Sequence, residues 1–239
     1  MKTLHGFPVV TAQDCFAYVR EAGLKPWPIQ DQMPLEQWLA QATESQRKMF
    51  EKFGPKSFYL KITNPRTGEV NDYFRTVFKP SAVVFAMLQD YVLVTAEWKH
   101  GNDKITFVPV AGVPNKDELA LPIDCCMSAA ANREWQEETG TKLEVLEPLS
   151  PTSGIYSAVR PATLSYHPFV GIVQEPIVRG PTKYDDNEHI VLVAFQITEW
   201  LNLIEWPSLW DDNLDFGLEM CARDVTYAAL RRLGRFKLV

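Results

Sequence analysis

Cysteine is scarce in this chain of 239 residues: Cys15, Cys125, Cys126 and Cys221 form neither a C-x-x-C pair nor a spaced framework. That excludes a disulfide-stapled scaffold and points to a reducing compartment. Histidine is equally sparse, and His5, His100, His167 and His189 lack the grouped spacing of a zinc centre. Long apolar runs are missing as well. Nowhere do about 18 apolar residues follow one another, and the stretch from Met1 to Pro8 has no apolar segment long enough for a signal peptide. The expectation is a soluble, cytoplasmic protein with no membrane partner. Positive charge is in deficit, with 24 Lys and Arg against 30 Asp and Glu and a net charge of −6. Duplex nucleic acid would find no basic stripe to bind, and an anionic ligand would need a local device such as a metal ion.

The composition that is there, 46% hydrophobic and 23% charged, suffices to bury a full core. Residues 1–56 read as a mainly helical N-terminal extension. In it Pro26-Trp27-Pro28 is a rigid break, the longest helix opens at Pro34, and Gly54-Pro55 closes that helix. Trp38, Phe50 and Phe53 are packing residues there, covering either the main domain or a second subunit, so a homodimer is one expectation.

Residues 57–239 read as the main domain. A hairpin is expected from 57–62 and 73–78, then two core strands at 82–88 and 91–94 turning at Gln89-Asp90, and a third over 106–112. A polar, proline-flanked loop from Val113 to Pro122 follows, with Asp124 as N-cap of the next helix. Later strands fall at 143–146, 169–173 and 190–197, and helices at 199–204 and 217–233. Strands interleaved with few helices give an α+β or α/β/α-sandwich reading.

One stretch carries the chemistry. Residues 128–140 read as a helix on which Glu134 and Glu138 stand i,i+4 with Glu137 beside them. Such like-charge pairs disfavour a helix by roughly 0.2–0.5 kcal/mol each, so the crowding makes sense where a cation is meant to sit. The plain alternative is a solvated face with an Arg–Glu pair. Arg133 is placed to hold Glu137, while Met127, Ala131 and Trp135 face inward at helical spacing. Gly140 can take the left-handed conformation that ends the helix.

The run Arg133-Glu134-Trp135-Gln136-Glu137-Glu138-Thr139-Gly140 resembles the R-E-U-x-E-E-x-G core of the Nudix box, in which U is a bulky apolar residue. In the full pattern, G-x5-E-x7-R-E-U-x-E-E-x-G-U, the glycine stands 14 positions before the arginine. Gly112 stands 21 before Arg133, so seven extra residues form a loop. The position of the first pattern glutamate, counted back from Arg133, is Cys125, and the last apolar position is Thr141.

The resemblance implies a Nudix-type α/β/α sandwich with a mixed sheet, and Mg2+-dependent pyrophosphohydrolysis (with Mn2+ as a substitute) of a nucleoside diphosphate derivative. ADP-ribose or a nucleotide sugar stands ahead of NADH or a nucleoside triphosphate as substrate; a non-catalytic nucleotide-binding module is the other class. It implies Glu134, Glu138 and Glu137 as metal ligands with the carbonyl of Ala111, and Glu137 and Arg133 as catalytic groups. The general base would come from the acidic cluster 185–188, Glu188 first and Asp186 second, with Asp117 and Glu118 next. The loop from Ser150 to Tyr156 is similar to the Ser-Pro-Gly segment of enzymes acting on ADP-ribose and related sugars, and Glu97-Trp98-Lys99-His100 to the turn ahead of the box. Trp98, Tyr156 and Tyr184 could stack on a base, although packing is the better explanation for any one ring.

Overall fold

The computed structural model describes residues 2–25, 27, 32–63, 65–99, 104–150, 155–159, 162–184, 189–205, 216–218 and 220–235. They divide into two compact units, one of Met1–Trp27, Ser81–Gly154 and His167–Val239, the other of Pro28–Pro80 and Ile155–Tyr166. The units therefore differ from the expected division at residue 56: the first residues belong with the main body, and a short later segment joins the smaller unit.

The smaller unit opens with two helices where one was expected, α1 having already formed at Cys15–Glu21 in the larger unit. These are α2 (Leu35–Gln41) and α3 (Glu44–Phe53). They separate because Thr43 is extended and caps α3 reciprocally with Gln46, its hydroxyl accepting from the Gln46 N–H while the Gln46 side chain accepts from the Thr43 N–H. Trp38 and Phe50 pack on each other with ring centroids 5.9 Å apart. The expected hairpin is present as β3 (Lys56–Thr63) and β4 (Val70–Val77), antiparallel from Lys56↔Val77 to Thr63↔Val70.

In the larger unit two short strands, β1 (Thr3–Leu4) and β2 (Phe7–Val10), stand where only helical pieces were expected. The hairpin β5 (Ser81–Leu88) and β6 (Tyr91–Lys99) forms as expected, with Gln89 at φ 57° in its turn. The third expected strand is divided at Pro109 into β7 (Lys104–Val108), which pairs with β6, and β8 (Val110–Gly112), which pairs with β5. Proline lacks the N–H a continuous ladder would need, so the chain changes partner there. Glu97, Trp98 and Lys99 lie in β6 rather than in a turn; His100 is outside the described residues.

After α4 (Ile123–Thr139) come β9 (Leu143–Pro148), β10 (Ile155–Val159), β11 (Ala162–Val173), β12 (Ile190–Gln196), α5 (Ile197–Glu205), β13 (Phe216–Leu218) and α6 (Met220–Arg232). Ile155 and Tyr156, expected in a loop, begin β10, which pairs antiparallel with the first part of β11; 151–154 lie outside the described residues. The sheet of the larger unit is mixed: β12 runs antiparallel to β6 but parallel to β2, and β13 is parallel to β7.

Alternation along β6 and β12 sorts the two faces of this sheet. Leu93, Leu192 and Ala194 share a core cluster with Met127, Ala130, Ala131 and Trp135 of α4. The opposite face carries aromatics: Phe107 meets Phe16 of α1 at 5.5 Å and Phe195 at 5.8 Å, and Phe195 meets Trp200 of α5 at 5.6 Å. Trp200 donates its indole N–H to Thr226 of α6 at 2.8 Å. Helices thus cover both faces, as the sequence pattern predicts for an α+β chain.

Candidate active site

Burial is what holds α4 in place despite its charge. Met127, Ala131 and Trp135 are buried against the sheet, and each large side chain so buried is worth about 1.5–3 kcal/mol, well above the like-charge cost on the other face. The helix begins after Pro122, which is its N-cap; Asp124 sits inside the first turn and is not the cap. It ends at Gly140 with φ 67°, as expected. A second constraint acts on Gly140: a Cβ there would lie 2.4 Å from the Gly180 carbonyl oxygen.

Arg133 is the hub of the charged face. Its Nε donates to Glu118 Oε1 at 2.8 Å and one terminal nitrogen donates to Glu118 Oε2 at 3.1 Å, a bidentate pair. That same nitrogen reaches the Val113 carbonyl at 3.0 Å, and the other lies 2.8 Å from Glu137 Oε2 and 2.9 Å from Glu134 Oε1. The i,i+4 pair with Glu137 was expected, whereas the partnership with Glu118 was not.

Glu118 is only 8% exposed. It opens a short 3-10 turn (Glu118–Ala120) and accepts the Asn115 N–H at 2.7 Å, while the Asn115 side chain accepts from the N–H groups of Asp117 and Glu118. Burial pushes the Glu118 carboxyl up, but the Arg133 hydrogen bonds and the Asn115 N–H outweigh it and hold the group below the usual carboxylate range. For Arg133 burial likewise opposes the charge, and Glu118 and Glu137 more than compensate, raising its pKa. A carboxylate so engaged is a strut, which removes Glu118 from the candidates for general base.

The same fact corrects the counting of the motif. Gly112 and Glu118 are themselves six positions apart, the G-x5-E spacing of the pattern, so the seven extra residues fall between Glu118 and Arg133. Cys125, reached by counting back from Arg133, is an exposed thiol on α4. Counting forward from Gly112 was the available signal.

Strand β8 delivers Ala111 and Gly112 beneath α4. A Cβ on Gly112 would sit 2.0 Å from Glu134 Oε1, so only glycine lets the main chain come this close to the carboxylate. Glu138 is also buried, at 8% exposure. The structure therefore brings Ala111, Arg133, Glu134, Glu137 and Glu138 into one neighbourhood. Among the described residues, however, no three Asp, Glu, His or Cys side chains converge as a ready metal cage, because Arg133 draws Glu134 and Glu137 toward itself.

The chain after β11 returns to this helix. Gly180 N–H bonds the Gly140 carbonyl at 2.6 Å, Lys183 N–H the Glu137 carbonyl at 2.7 Å, and the Tyr184 hydroxyl the Glu138 carbonyl at 3.0 Å. Lys183 Nζ stands 3.6 Å from Glu137 Oε1. Arg179 is held by Phe7, its guanidinium 4.6 Å from the ring centroid. The polar stretch from Arg179 is thus hydrogen-bonded to this helix up to Tyr184, whose hydroxyl satisfies a helix carbonyl. Asp186 and Glu188 lie outside the described residues.

No family model and no curated protein sequence matches the chain. Among solved structures it is similar to the crystal structure of an ADP compounds hydrolase, with a TM-score of 0.56 at 16% identity over 76% of this chain and 89% of that one. At that identity the likeness speaks for the fold alone, α+β with a mixed sheet.

Proposed function

We propose that the chain hydrolyses a diphosphate linkage in a nucleoside diphosphate derivative, ADP-ribose or a nucleotide sugar ahead of NADH or a nucleoside triphosphate. The reading rests on one observation above the others: Glu134 of α4 lies against the Gly112 backbone while Arg133 holds it beside Glu137, with the buried Glu138 one turn further along the same helix. The fold shared with an ADP compounds hydrolase supports it.

The donors suit Mg2+, or Mn2+ in its place, in kind. All are oxygens, and Mg2+ takes one or two carboxylates, keeping several waters and substrate phosphates for the remainder. Glu134, Glu138 and the Ala111 carbonyl would hold it, with Glu137 as a further ligand, and a full protein cage is not required. When bound, the cation neutralises diphosphate oxygens and acidifies a water. Arg133 positions Glu134 and Glu137 and spaces their charges. For the base we keep Glu188, with Asp186 second. Support comes from the anchoring of Lys183 and Tyr184 on the carbonyls of Glu137 and Glu138, one residue before the acidic cluster begins.

The test is a panel of nucleoside diphosphate derivatives with Mg2+ or Mn2+, scored for phosphate-containing products, with two variants alongside. Glu138→Gln should lower turnover roughly a hundredfold or more at an unchanged melting temperature. Glu188→Gln should lower turnover much more than it weakens binding. Near-normal hydrolysis by Glu138→Gln would sink the metal assignment. Saturable binding of ADP-ribose by the wild type without turnover would make the chain a binding module.

A further inference from the structure

One cavity in the larger unit lies apart from the carboxylate cluster. About 340 Å3 of space lies beside the N-terminal half of α4, against the ends of β9 and the second part of β11. Met127 and Phe169 form its apolar wall, while Asp124, Ser128, Ser150 and His167 present polar groups. Asp124 and Glu134 are ten residues apart on one helix, about 15 Å along its axis, so this is a separate place from the carboxylate cluster. Asp124 and Ser128 belong to the stretch between Glu118 and Arg133 that exceeds the motif's length.

His167 is the informative side chain. It lines the cavity and is 7% exposed, and among the described residues its ring makes no hydrogen bond. An imidazole so placed can donate from one ring nitrogen and accept at the other toward a group in the cavity. Burial holds its pKa below the usual histidine value, against the opposing pull of Asp124, so the ring offers one donor and one acceptor. Among the described residues no lysine or arginine lines the space, and Asp124 would repel a phosphate. The volume stands at the small end of ligand pockets.

We propose that this cavity binds an uncharged, hydroxyl-bearing ring of sugar size. Its hydroxyls donate to Asp124 and exchange hydrogen bonds with His167, Ser128 and Ser150, and its C–H face lies on Phe169 and Met127. Such a split wall matches a sugar, which is apolar on one face and polar at its edge. The ring is either the sugar of the diphosphate substrate, in which case the site rests on the function proposed above, or a free sugar.

The test uses the full chain and D-ribose. In proton NMR, the histidine resonance that disappears in His167→Phe should shift saturably as D-ribose is added. The other three should stay in place. Asp124→Ala should raise the half-saturating concentration about tenfold, the loss of one charge-assisted hydrogen bond, and Ser128→Ala should raise it less, both with unchanged thermal unfolding. A His167 resonance that ignores D-ribose overturns the proposal, as does a shift that Asp124→Ala and Ser128→Ala leave untouched. A tenfold higher KM for ADP-ribose in Asp124→Ala, without a matching change for ADP, assigns the ring to the substrate. The same ribose response with no change in KM assigns it to a separate sugar. If the wild type cleaves no diphosphate at all, the function proposed above fails, and the ribose titration still decides this site.

Discussion

The indole of Trp135 is buried, and its N–H must find an acceptor inside the core. Thr141 Oγ1 provides it at 3.1 Å. The Thr141 hydroxyl lies 2.8 Å from Thr139 Oγ1, and Thr139 donates in turn to the Trp135 carbonyl at 2.7 Å. The chain of hydrogen bonds closes on the residue where it began. Thr141 stands where the motif has an apolar residue, and the exception is explained by the tryptophan: an aliphatic residue at 135 would have asked for nothing. Thr141→Val, although it restores the motif, should therefore destabilise the fold by about 1–3 kcal/mol by orphaning the indole. Urea denaturation of the single and double variants measures this. Adding Trp135→Phe should cancel part of the Thr141→Val loss, and strictly additive losses would show that the two residues are not coupled.

At the scale of elements, two segments are fastened to α4, and each fastening can be cut. The first is the turn carrying Glu118. Because the native Glu118 pKa is depressed below its ordinary value of 4.5, its pair with Arg133 contributes stability that is complete above that value. The contribution is lost as pH falls through the native pKa. Glu118→Gln should lower stability at neutral pH and flatten the acid side of a stability-against-pH curve; parallel curves for variant and wild type would refute the assignment. The second segment is 179–184. Gly140→Ala imposes a side chain at φ 67° and drives its Cβ to 2.4 Å from the Gly180 oxygen, so it should cost about 1–2 kcal/mol or more for the left-handed backbone alone. It should also loosen Lys183 and Tyr184 from the helix, read as faster amide exchange at Gly180 and Lys183. A substitution that leaves exchange and stability alone would mean that this junction constrains nothing.

For the whole molecule, the open question is what covers the hairpin of the smaller unit. Tyr59 and its cross-strand partner Phe74 are exposed on one face of β3 and β4, Phe74 to 70%, and pack on each other at 5.6 Å, while Phe58 and Ile62 are exposed on the other face. Clustered exposure of this kind marks an interaction surface more often than it marks free surface. With a homodimer as the expectation from sequence, light scattering should report twice the chain mass, and Phe74→Asp should shift the protein toward monomer. A monomeric wild type at micromolar concentration would leave this hairpin for another partner.

Local pattern made part of this protein legible in advance. The helix of Arg133, Glu134, Glu137 and Glu138, its inward Met127, Ala131 and Trp135, its stop at Gly140, and the hairpins at 56–77 and 81–99 all follow from periodicity and turn residues within one window of chain. What the sequence hid shares a different character. Strand β2, four residues long with Pro8 inside it, exists because β12 lies alongside, 185 residues later. The split of β7 from β8 depends on two different neighbours. The partner of Arg133 was missed because the loop's extra residues broke the count from one end, and only the folded turn at Asn115 brings Glu118 under the guanidinium. Periodicity reports which face of an element is apolar; it carries no record of which distant strand or carboxylate will meet that face. That choice is made by burial and hydrogen-bond satisfaction across the whole sheet, so it is decided only when the chain has folded.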